Sequence, residues 1–108
     1  MSKYKAVKTM VGDEVFDSKK EAKRWVELRK MEEDGKIKDL ARQVKFPLLP
    51  KQMLDGKVIE RQCNYIADFI YRENGHLVVE DTKGIMTPEF RLKKKMMLYF
   101  YGIRIRIQ

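Results

Sequence analysis

The sequence is short of several residue types: one cysteine, one histidine, one tryptophan and three prolines among 108 residues. A lone cysteine, Cys63, excludes an internal disulfide and any cysteine-rich zinc site, and it suits a reducing compartment. The lone histidine, His76, follows a turn and reads as an exposed polar residue rather than a general base. No apolar run approaches membrane-spanning length, and the opening MSKYKAVK lacks the apolar core of a signal peptide. The expectation is a soluble, cytoplasmic protein with no membrane partner. Internal repeats and low-complexity linkers are absent, and Gly12, Gly56 and Gly75 are turn glycines with no phosphate-loop pattern around them.

Acidic residues are the minority, 16 against 24 Lys and Arg, for a net charge of +8. Such an excess favours a polyanionic partner, with nucleic acid the first candidate, although a basic surface also serves solubility alone. The length supports one domain, residues 1–108, with one core.

What is present is organised around Tyr65 to Lys83, YIADFIYRENGHLVVEDTK. Two apolar runs flank Glu73-Asn74-Gly75, and Asn-Gly between β-rich segments signals a tight hairpin. Alternation places Val79, Asp81 and Lys83 on one face of the second strand, with Glu80 and Thr82 on the other. Asp68 sits in a first strand that reads as mostly buried, where an unpaired carboxylate is costly. A metal ion or a cation such as Lys83 would remove that cost.

Around this hairpin, residues 4 to 16 suggest a small outlying hairpin turning at Gly12-Asp13. Asp17-Ser18 opens a helix to about Asp34 that ends at Gly35, with Ala22, Trp25, Val26 and Met31 as its buried stripe. Ser18 and Glu21 match the capping-box spacing, which would by itself explain that glutamate. After Gly35 the pattern predicts one helical turn, then a strand through Val44, Phe46 and Leu48, with Pro47 marking an edge. Asp55-Gly56 marks an exposed turn. Thr87-Pro88-Glu89 starts a second helix running to about Tyr101 and stopped by Gly102, with Phe90, Met97, Leu98 and Tyr101 buried. A closing strand turns Ile103, Ile105 and Ile107 inward. Strand, helix, strand suggests a right-handed parallel crossover. The predicted class is α/β, an αβββαβ core with a mixed four-stranded sheet flanked by helices, plus the N-terminal hairpin.

Hydrolysis of a phosphodiester needs a nucleophilic water, counter-charge for the pentavalent phosphate and help for the leaving oxygen. Carboxylates that hold Mg²⁺ supply much of this, because the ion is hard and keeps bound waters. Lys83, two residues after Asp81 on the same strand face, is placed to orient the water and stabilise negative charge. The backbone carbonyl of Thr82 is a further candidate ligand. A plain salt bridge from Lys83 to Asp81 or Asp68 would leave the same pattern.

The arrangement ADF … VVEDTKG resembles the PD-(D/E)XK nuclease superfamily, in which an acid on one strand is followed by acid-x-lysine on the next. FDSKKEAKRW, ARQVKFPL, ERQCNYIADFIY, VVEDTKG and EFRLKKKMM make the chain look like a small phage-encoded branch, a domain-of-unknown-function family of endonucleases. The resemblance implies a restriction-endonuclease-like core and cleavage dependent on Mg²⁺ or Mn²⁺. It implies Asp68 and Asp81 as metal-binding acids, Lys83 as the catalytic lysine, and Glu21 as the first-helix glutamate facing the metal. Ala67 stands where many members have proline. The second acid is the shorter Asp81, with Glu80 adjacent and exchangeable with it through a strand bulge.

On the second helix, Arg91, Lys93, Lys94 and Lys95 form either a solvated face or, with Arg104 and Arg106, a track for a phosphate backbone. The resulting expectation is a metal-dependent DNA endonuclease in phage replication or recombination, acting on branched or nicked DNA. Its rivals are a non-cleaving nucleic-acid-binding module on the same fold and a protein-binding accessory factor. One domain offers one active site, so double-strand cutting would require a homodimer.

Overall fold

A computed structural model describes residues 8–108. The start of the predicted N-terminal hairpin, residues 4–7, lies outside the described residues. Its remainder forms as β1 (Thr9–Val11) paired antiparallel with β2 (Glu14–Phe16).

Helix α1 covers Lys19–Glu33, capped by the Ser18 hydroxyl, which accepts from the Glu21 backbone N–H at 3.1 Å. Its buried residues are Glu21, Ala22, Trp25 and Leu28. Leu28 therefore takes the place expected for Val26, which is 51% exposed. Trp25 sits one turn before Leu28 and opposite Phe69, and that pairing sets which side of the helix faces inward.

Strand β3 runs Lys38–Leu49, with no preceding helical turn. β4 (Gln52–Leu54) and β5 (Lys57–Glu60) form a separate exposed hairpin turning at Asp55-Gly56. β6 (Cys63–Glu73) and β7 (His76–Asp81) make the central antiparallel hairpin. Asn74 and Gly75 both have positive φ, 53° and 80°, as a two-residue turn matching strand twist requires. Helix α2 covers Pro88–Tyr101, capped by Thr87 and closed by left-handed Gly102. β8 is only Arg106–Ile107 and pairs parallel with β7.

The main sheet has the order β3-β6-β7-β8, a mixed four-stranded sheet with α1 before it and α2 bridging its last two strands. The fold is thus mixed α/β with an αβββαβ core order. Pro47 lies on edge strand β3, where a missing N–H costs least. Consecutive residues separate to the two faces: Tyr71 and Val78 pack with Trp25 and Leu28 of α1, while Ile70 and Val79 pack with Phe90 and Met97 of α2.

Besides Val26, burial expectations on the second helix and the last strand are corrected. Leu98 is 55% exposed and Tyr101 is also exposed, because α2 rests on the sheet only through a stripe centred on Phe90 and Met97. On the last strand Ile105 is buried and Ile103 half-buried, but Ile107 is exposed, since β8 is a short edge. β6 is mostly buried as expected, with Tyr65, Ala67, Phe69 and Tyr71 inside, while Asp68 is half-buried and Ile66 exposed.

Opposite Asp68, between the pairs Arg42↔Phe69 and Val44↔Ala67, Gln43 has a left-handed backbone with φ 54°. A bulky non-glycine residue in that region carries strain, and such residues concentrate at functional sites. On one side of this point Tyr65 and Ala67 join the α2 cluster; on the other Phe69 and Tyr71 join the α1 cluster. β6 therefore passes from one core to the other at Asp68.

A candidate carboxylate site at the sheet end

Residues Phe69 and Glu80 are paired across β6 and β7, so the same register sets Asp68 beside Asp81 one step further. Asp81 is fully buried. Its Oδ2 accepts from the Tyr65 hydroxyl at 2.6 Å, and its Oδ1 has no hydrogen-bond partner among the described residues. Lys83 Nζ stands 3.4 Å from that Oδ1, off the line of a hydrogen bond. Burial pushes the Asp81 carboxyl up to about 6; the neighbouring Asp68 charge adds to this, and the Tyr65 and Lys83 contacts only partly offset it.

The Asp68 Oδ2 accepts from both the backbone N–H and the hydroxyl of Thr82, at 2.9 and 2.8 Å. Lys83 lies beyond the end of β7, and its ammonium sits 4.7 Å from the centre of the Phe90 ring. Phe90 belongs to the first turn of α2, so the helix start fixes the lysine against Asp81 by a cation–π contact.

The Glu21 side chain is not occupied as a capping box would have it. Ser18 caps the Glu21 N–H, while the Glu21 carboxylate accepts from Gln43 Nε2 at 3.0 Å and Arg42 Nη2 at 3.5 Å. Burial raises the Glu21 carboxyl, the charges of Asp68 and Asp17 raise it further, and Arg42 lowers it. Asp68 thereby acts on both Glu21 and Asp81 and is the middle of three acids. Left-handed Gln43 gains a role here, since its amide is the nearest donor to Glu21. Arg42 is steadied by the Phe16 ring, 4.0 Å below its guanidinium.

A cleft of about 450 Å³ opens on this group, walled in part by Lys20, Glu21, Asp68, Thr82, Lys83 and Thr87. Five residues singled out from the sequence are thus brought together: Glu21, Asp68, Asp81, Thr82 and Lys83. Asp81 lies behind the cleft wall rather than in it. Among the described residues, no three His, Cys, Asp or Glu side chains stand close enough to enclose a metal ion as they are placed.

Glu80 is committed elsewhere. On the α1 face it accepts from Arg24 Nε and Nη2 and from the Tyr71 hydroxyl, wholly buried. Such bidentate pairing leaves Asp81 as the acid on the cleft side.

The basic residues of α2 are less unified. Lys93 pairs with Glu89 at 3.1 Å, Arg91 and Lys95 are exposed, and Lys94 is half-buried. Arg104 is exposed, preceding β8 rather than within it. Arg106 turns back to the Tyr71 hydroxyl and Glu73. Sequence reasoning did not single out Tyr65, Gln43 or Arg42. Only Tyr65 carries a local signal, a strand tyrosine three residues before an acid.

The fold and site together describe a basic α/β protein with a carboxylate-lined cleft where two central strands end. A family model described as "Protein of unknown function (DUF1064)" matches residues 1–106, and the chain belongs to that family. No curated protein and no solved structure matches it. Among the described residues no helix is long and apolar enough to cross a membrane.

Proposed function

We propose that this protein is a divalent-metal-dependent endonuclease that hydrolyses DNA phosphodiester bonds, as its resemblance to the PD-(D/E)XK superfamily implies. The observation that carries the reading is Asp81: a fully buried carboxylate with one oxygen lacking a hydrogen bond and a second acid beside it. A protein that only needed a packed strand end would be better served by a neutral residue, since burying an incompletely satisfied carboxylate is costly.

The donor set suits a hard cation. Asp68 and Asp81, with Glu21 and the Thr82 carbonyl, are oxygen donors of the kind Mg²⁺ or Mn²⁺ takes. When bound, such an ion supplies counter-charge for the phosphate and a more acidic water. Lys83 holds its ammonium 3.4 Å from Asp81, where it can donate to a phosphate oxygen or orient the attacking water. Tyr65 holds Asp81 in place through Oδ2 and leaves Oδ1 turned to Lys83. Gln43 and Arg42 do the same for Glu21. The basic helix α2 begins at the cleft and offers Arg91, Lys94 and Lys95 to the DNA backbone, with Arg104 beyond it. In this reading the DNA is a branched or nicked intermediate of phage replication or recombination, and cutting both strands takes two copies of the chain.

One observation favours a second reading, a nucleic-acid-binding module that does not cleave. Thr82 already satisfies Asp68 twice, and no ready-made three-ligand group exists among the described residues. Incubation of plasmid and synthetic junction DNA with Mg²⁺ and with Mn²⁺ separates the two. The enzyme reading expects cutting by the wild type, and losses of about 10²-fold or more in Lys83→Ala and Asp81→Asn. Equal behaviour of all three proteins removes the enzyme and leaves the binding module.

A further inference from the structure

We propose that a second cleft beside the carboxylates, walled by Lys20 and Lys23 of α1, seats a backbone phosphate adjacent to the one attacked, so that the nucleic-acid strand runs along α1. This rests on the nuclease reading above and adds to it a direction for the substrate.

The second cleft, about 190 Å³, is lined by Lys20, Lys23, Arg24, Glu27, Thr82 and Gln108. It shares two walls, Lys20 and Thr82, with the carboxylate cleft, so the two lie side by side. Lys20 marks the border: its Nζ lies 3.5 Å from the backbone carbonyl of Lys83. Lys20 and Lys23 are three residues apart on a helix, so they project from the same face about 5–6 Å apart at Cβ.

The charges in this second cleft are not equivalent. Arg24 is held mainly by buried Glu80 and also pairs with Glu27 at 3.0 Å, so one guanidinium faces two carboxylates and Glu27 is only partly offset. The positive charge the second cleft offers a ligand is therefore that of the two exposed ammonium groups of Lys20 and Lys23, which together outweigh the partly offset Glu27. Beside a carboxylate group that repels a polyanion, such a pair supplies the attraction that admits one. A lysine ammonium is a point charge without the geometry to read bases, so the cleft suits phosphate and is indifferent to sequence. On α2, by contrast, Lys93 is tied to Glu89, and exposed Leu92, Leu98 and Tyr99 interrupt the basic run.

The test is binding without cleavage. Fluorescence anisotropy of a labelled DNA duplex is followed in EDTA across a salt series for wild type, K20Q/K23Q, K20R/K23R and K30Q. Lys30 is paired with Asp34 toward the other end of α1, and K30Q, which removes one charge where K20Q/K23Q removes two, shows what losing a positive charge away from the cleft does by itself. The expected result is affinity about 10-fold weaker for K20Q/K23Q, with a log–log salt slope smaller by about two. K20R/K23R and K30Q should match wild type. Thermal melts establish that each variant is folded. Wild-type affinity and slope in K20Q/K23Q, or equal weakening in K30Q, overturns the α1 path and leaves the nuclease reading standing. Absence of any salt-sensitive DNA binding by the wild type overturns both.

Discussion

The Tyr65 hydroxyl donates a 2.6 Å hydrogen bond to Asp81 Oδ2, sixteen residues along the chain, inside a region closed to solvent. That bond is the one hydrogen bond to the Asp81 side chain among the described residues, and the other carboxylate oxygen faces the Lys83 ammonium at 3.4 Å. Removing the hydroxyl in Tyr65→Phe strands the charge while keeping the ring against Phe46 and Phe90. The expected cost is about 1–3 kcal/mol at neutral pH, read as a lower urea midpoint with an unchanged m-value.

The raised Asp81 carboxyl gives the metal-free protein a defined response to pH. Between its ordinary value of 3.8 and about 6, the folded protein holds a proton on Asp81 that the unfolded chain has released. Stability therefore falls as pH rises through that window, and the penalty persists above it. Asp81→Asn should remove this component. The metal-free variant is expected to melt several degrees above wild type at pH 8 and level with it near pH 4. A variant that melts below wild type at pH 8 contradicts the assigned direction.

Divalent ions should reverse that order. An ion that binds only the folded state stabilises by mass action, about 2.7 kcal/mol at a hundredfold excess over its Kd. Adding Mn²⁺ at pH 8 is expected to raise the melting temperature of wild type and to leave Asp81→Asn unmoved. Equal shifts in both proteins would place the ion somewhere other than Asp81.

On the opposite face, Arg24 and Glu80 make a structural pair rather than part of the site. Glu80 is fully buried, so Arg24→Ala leaves a charge without a partner and should cost about 3–5 kcal/mol. The double variant Arg24→Met/Glu80→Gln should recover most of that loss. Urea unfolding of the single and double variants measures the coupling.

Much of this fold is written in neighbouring residues. Asn74-Gly75 specifies its turn, Ser18 and Thr87 specify two helix starts, and Gly35 and Gly102 specify two stops. Asp68, Asp81 and Lys83 are legible for the same reason, since a hairpin register sets strand ends side by side. Val26 and Leu98 misled because apolar character on a helix does not say which side meets a sheet. The supports of the acids were hidden for a different reason. Tyr65 reaches Asp81, and Gln43 reaches Glu21, through strand pairing and a left-handed backbone that no local pattern encodes. The partners of Glu80 were equally remote, Arg24 lying 56 positions away.

The most direct test of the site is a crystal of the wild-type protein soaked in Mn²⁺. An anomalous peak touching both Asp68 and Asp81, with Lys83 beside it, is the predicted result, and Glu21 should turn toward the peak. Asp68 still closed on Thr82, Asp81 still held only by Tyr65 and Lys83, and no peak between them would contradict the metal-dependent nuclease.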